Sequence, residues 1–105
     1  MVPSIARYSF WRWKVVTVQA MIVLELAFDD SPARLAARPA HRALLATLHA
    51  SGQLVMAGPL ADDSGALLVF RGSRSEVDEL MAADPYYTTP GVVVVSLREW
   101  LPFVG

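Results

Sequence analysis

His41 and Asp84 are the residues whose chemistry and surroundings set them apart in this chain. Pro39, two residues ahead of His41, reads as the first residue of a regular helix, because proline is welcome at that position and disruptive deeper in. His41 is then expected in the first helical turn, where the positive end of the helix dipole disfavours the imidazolium and favours the neutral ring. A neutral imidazole is a competent general base. The plain alternative is that His41 shares the apolar stripe of Leu44, Leu45 and Leu48 and only packs. Asp84 continues the stripe of Val77, Leu80 and Met81 to the end of a second helix. A carboxylate there opposes the helix dipole and calls for a partner, which an imidazole would supply. Its own plain alternative is an Asp-Pro turn that ends the helix.

The rest of the chemical inventory is thin. His49, the second of two histidines, falls in the last turn of the first helix, where it complements the dipole. Arg38 is expected either to hold an anionic group of a substrate or to pair with Asp29 or Asp30. Tyr86 and Tyr87 either line a pocket or cover a sheet edge, and Gly58-Pro59 and Gly65 read as turn punctuation. There is no phosphate-binding loop, no dinucleotide glycine pattern and no metal-ligand spacing. The absence of cysteine excludes disulfides, thiolate metal sites and thiol nucleophiles, and suits a reducing cytoplasm.

Elements that position these residues follow from the apolar pattern. Strands are expected at Met21–Phe28, Leu54–Ala57, Ala66–Phe70 and from Val92 towards Trp100, each bounded by turn residues. The first helix runs from Pro39 to about Ala50, preceded by a bend at 35–38 and stopped by Ser51-Gly52. The second opens at Ser73, whose partner three residues on, Glu76, makes a capping box, and ends near Ala83. Residues 86–91 are expected to form a loop. The order β-α-β-β-α-β is the split βαβ, ferredoxin-like arrangement: an α+β fold with a four-stranded antiparallel sheet and two helices on one face.

Length bounds this to one domain with a core that is adequate rather than generous. Apolar residues make up 54% of the chain, more than such a core absorbs. The strands at 22–24, 67–70 and 92–95 are apolar on consecutive positions, so both sheet faces are apolar while the helices cover one. A second copy, sheet to sheet, would cover the other, so a homodimer is expected. A net charge of −1 provides no field to draw in nucleic acid, and no stretch is long enough to span a membrane. Residues 1–20, with Arg7, Arg12 and Lys14 among four aromatic residues, read as an extension ahead of a domain that opens at Met21. The apolar run at 15–18 is too short for the core of a secretory signal.

Three separated motifs, Arg38-Pro39-Ala40-His41, Gly58-Pro59-Leu60 and Asp84-Pro85-Tyr86, resemble the YCII-related family over residues 21–105. The resemblance implies a dimeric α/β-barrel with a ferredoxin-like protomer. It also implies an active site in which the family's histidine and aspartate correspond to His41 and Asp84, with Arg38 at the motif arginine and Pro59 and Tyr86 beside it as substrate-binding positions. One branch of the family resembles a dehydrochlorinase of a chlorinated hydroxyhydroquinone, and related dimeric barrels include muconolactone isomerases. Both move protons on small oxygenated rings, work that a histidine oriented by a carboxylate performs without metal or cofactor. The expectation is therefore a lyase or isomerase acting on a small-molecule substrate. The competing expectation is a non-enzymatic module that holds a small metabolite, or docks onto a partner through the aromatic, basic arm at 8–14.

Overall fold

A computed structural model describes residues 20–105. The expectations for the extension and its arm concern residues that lie outside this range, apart from Ala20. The chain runs β1 (Met21–Phe28), α1 (Pro32–Ala50), β2 (Leu54–Pro59), β3 (Gly65–Arg71), α2 (Arg74–Ala82), a 3-10 turn (Pro85–Thr88) and β4 (Val92–Trp100). The strands form one antiparallel sheet in the order β2-β3-β1-β4. This is the α+β, ferredoxin-like arrangement expected from the residue pattern.

Alternation along the strands decides which face holds the core. Ile22, Leu24 and Leu26 of β1 stand opposite Phe70, Leu68 and Ala66 of β3, and all six are buried. Val77 and Leu80 from α2, and Leu45 and Leu48 from α1, pack on the same cluster, so both helices share one face. Residues of the opposite parity point away from the helices. Leu67, Met56 and Val93 there are 45%, 63% and 59% exposed, around a Glu25–Ser96 hydrogen bond. The uncovered face carries these apolar residues, as the consecutive apolar runs require, together with Glu25, Ser96, Arg71 and Arg98 of the same parity. A register shift at Glu25/Leu26 bulges β4 by one residue, which adds twist at that edge.

The start of α1 differs from expectation. The helix opens at Pro32, after Ser31, and continues through Pro39 without a break. Pro39 deprives the Leu35 carbonyl of its usual donor, and both residues lie on the exposed side of the helix, where such a loss costs least. His41 therefore sits in mid-helix, and the helix-end field does not act on it. Strand β2 also runs two residues further than expected. It takes in Gly58 and Pro59, which an edge strand tolerates because its outer side needs no donor. Gly65 is the first residue of β3 rather than part of the turn, and a Cβ there would press on the Leu26 carbonyl oxygen. The capping box at Ser73 and Glu76 is present in both directions.

Candidate functional site

Helix α2 stops at Ala82, and Asp84 begins the next element instead of ending this one. Its Oδ1 accepts the Tyr86 N–H at 3.0 Å and caps the 3-10 turn. Its Oδ2 lies 2.6 Å from Nδ1 of His41, 43 residues away in sequence. Both side chains are buried, at 5% and 7% exposure. The partner anticipated for this carboxylate is thus the histidine itself, although the dipole at α2 is not what recruits it. An ionised carboxylate only accepts, so Nδ1 is the donor of this contact, and Nε2 is the ring nitrogen left to exchange a proton with a ligand. Nε2 has no hydrogen-bond partner among the described residues.

Aromatic contacts fix the imidazole plane. Tyr86 stacks on His41 with centroids 4.0 Å apart and planes 8° from parallel. Tyr87 meets the same ring edge-on at 5.3 Å. Burial, reinforced by the charges of Asp84 and Tyr86, pushes the Tyr87 phenol above the usual tyrosine range, so it stays neutral. Phe28 packs edge-on against Tyr86 from the end of β1.

His41 forms part of two cavities. One, of about 640 Å³, lies between α1 and β2, with Arg38, His41, Arg42 and His49 on the helix side. Gly58 and Pro59 form part of its strand wall, and Phe28, Leu68 and Tyr86 close it from within. The other, of about 480 Å³, lies between α1 and the 3-10 turn and is bordered by Asp84. The motif residues Arg38, His41, Pro59 and Tyr86 thus share one cavity, with Asp84 behind the histidine. Gly58 and Pro59, read from sequence as punctuation, form a wall. His49 turns its Nδ1 to the Leu54 carbonyl at 3.1 Å and ties the end of α1 to β2. Among the described residues no group of three His, Cys, Asp or Glu side chains is placed to hold a metal ion, and no helix is long and apolar enough to cross a membrane.

Arg38 does not pair with Asp29 or Asp30. Its Nη1 lies 3.6 Å from Asp63 Oδ2, in the β2–β3 turn. The same oxygen takes Nη2 of Arg34 at 3.2 Å. Arg34, 2% exposed, also donates Nε–H to the Asp29 carbonyl and lies over the Phe28 ring, 4.4 Å from its centroid. Burial alone would disfavour its charge, but the neighbouring Tyr86 and Asp63 side chains outweigh that and raise its pKa. Asp63 itself adopts φ +60°, a left-handed conformation that aspartate tolerates better than most residues. Arg34, Arg42 and Asp63 went unnoticed in the sequence. The four-residue spacing of Arg34, Arg38 and Arg42 was the available signal, since it puts them on one helix face.

Neither curated proteins nor solved structures provide a match to the chain. The model of the YCII-related domain matches residues 18–101, which span every strand and both helices described above. The motif positions Arg38, His41, Pro59, Asp84 and Tyr86 fall within that match, and the chain belongs to the YCII-related domain family.

Proposed function

We propose that this protein is a cofactor-free enzyme that moves a proton on a small, oxygenated cyclic metabolite, as a lyase or isomerase. One observation carries the reading: a buried His41–Asp84 pair with a 2.6 Å contact, opening onto a cavity large enough for such a ring. Asp84 holds the Nδ1 proton and the ring orientation. Nε2 takes a proton from carbon or oxygen of the substrate, and the resulting imidazolium is stabilised by the carboxylate and can return the proton elsewhere on the ring. Tyr86, stacked on the imidazole, prevents it from swinging away and shields the pair from water. Arg38 and Pro59 bound the space where the substrate lies.

The test begins with thermal-shift screening of small cyclic metabolites, in which a ligand at hundredfold excess over its Kd stabilises by about 2.7 kcal/mol. Compounds that bind are then followed for conversion by mass spectrometry. Replacing His41 by Asn is expected to reduce turnover by about 10²- to 10⁴-fold, with circular dichroism unchanged. Undiminished conversion by the variant would rule out His41 as the base.

The protein is further proposed to act as a homodimer whose protomers meet through the uncovered sheet face. The support is the patch of Met56, Leu67 and Val93, apolar and 45% to 63% exposed, on the side away from both helices. Covering several hundred Å² of such surface contributes several kcal/mol, at roughly 25 cal/mol per Å², before association costs.

A further inference from the structure

Arg34, Arg38 and Arg42 follow one another at four-residue intervals along α1, so their side chains form a single row. Among the described residues Asp63 provides the only carboxylate in ion-pair reach of that row. It is already engaged: one oxygen is shared between the buried Arg34 at 3.2 Å and the half-exposed Arg38 at 3.6 Å. Arg42 has no ion pair among the described residues. Three guanidinium groups against one carboxylate leave a local surplus of positive charge on a chain whose net charge is −1. Arg38 and Arg42 bring that surplus to the rim of the cavity that holds His41, while Leu54, Ala57, Pro59 and Leu68 line it with apolar surface. A guanidinium fork with spare N–H groups, set at the mouth of an apolar slot, selects a planar anion with an apolar body.

We propose that Arg38 and Arg42 form a carboxylate-binding subsite, and that the ligand is a small ring acid whose body lies against β2. The assignment rests on the same cavity being the substrate site of the proton-transfer enzyme proposed above. Asp63 is the resident counter-ion: it keeps Arg38 extended along the rim when the cavity is empty, and Arg34 prevents it from neutralising Arg38 fully. The subsite also orients the ligand. With its carboxylate at the rim, the ring lies deeper in the cavity, on the side of His41 and Tyr86.

Benzoate serves as the probe, with its neutral isostere benzamide as control, followed by chemical-shift titration of the full chain. Benzoate is expected to bind saturably, to shift resonances of α1 and β2, and to bind at least about tenfold more tightly than benzamide. An Arg38→Gln/Arg42→Gln double variant should lose that advantage and bind the two compounds alike. Asp63→Asn, which releases Arg38, should tighten benzoate. Benzoate binding is read on the native chain without any turnover, so that failure of the catalytic assignment and failure of the subsite are read separately. Equal binding of benzoate and benzamide by the native chain, no saturable benzoate binding, or wild-type affinity in a folded double variant would each overturn the proposal.

Discussion

Asp84→Ala is expected to lower the unfolding free energy by about 2–6 kcal/mol, because it leaves two buried donors without their acceptor, at about 1–3 kcal/mol each. The carboxylate uses both oxygens, one on Nδ1 of His41 and one on the Tyr86 N–H, and is 5% exposed. Alanine strands both donors in a site that water reaches poorly, and the 3-10 turn loses its cap. Asp84→Asn separates this structural effect from the chemical one. Its carbonyl oxygen can still accept from Tyr86, so the fold should lose much less. Its amide, however, presents N–H to Nδ1, which must then accept and transfer the ring proton to Nε2. The base is thereby occupied. Urea denaturation of both variants, with ¹⁵N spectra of the His41 ring, checks the two halves. An alanine variant within about 1 kcal/mol of wild type would contradict the structural half, since a net ordinary hydrogen bond alone accounts for that much. An asparagine variant that keeps the Nδ1–H tautomer would contradict the chemical half.

Leu67→Lys should convert the proposed homodimer to monomer without unfolding either protomer. Leu67 lies on β3, opposite Glu25 and Gly58, in the middle of the sheet face that the helices leave bare. It is 45% exposed within one protomer, so an ammonium there is tolerated in the monomer. Across a two-fold axis every substitution appears twice. In the proposed interface each lysine, beside Glu25, would lose hydration and break the apolar contact, at a cost of several kcal/mol in association. Leu67→Ala, which removes area without adding charge, should weaken the dimer by a smaller amount. Sedimentation velocity over a concentration series distinguishes these cases, and circular dichroism checks the protomer. If wild type and Leu67→Lys sediment alike, this face is not the interface.

Much of the architecture was legible because local chemistry and global demand agreed. The β-branched runs at 21–28 and 92–95 have few stable uses except as strands, and Ser73 with Glu76 fixed the start of α2 to within a residue. Where two signals competed, the sequence was ambiguous. Pro32 and Pro39 both qualify as a first helical residue, and what separates them is which side of the helix faces water, a property of the tertiary packing. His41 was thereby singled out for a helix-end field it does not feel. The His41–Asp84 pairing itself emerged from the need of a half-buried carboxylate for a partner, together with the resemblance to the family. Asp63 was invisible for a different reason. Its left-handed turn folds it back over α1, and no sequence period connects residue 63 to residues 34 and 38. Turn geometry, rather than helical or strand periodicity, chose the counter-ion of the arginine row.

The strand order has a consequence for biosynthesis. Of the described strands β1 is made first, yet it lies inside the sheet, between β3 and β4. Its second neighbour is the latest-made strand of this sheet, so until β4 emerges one side of β1 offers an open row of backbone groups to any passing chain. The 3-10 turn that carries Asp84 and Tyr86 leads directly into that last strand. Sheet closure and the arrival of the carboxylate at His41 therefore belong to the same late event. A nascent chain halted at residue 83 would carry its histidine without its aspartate, on a sheet with two of its three strand pairings.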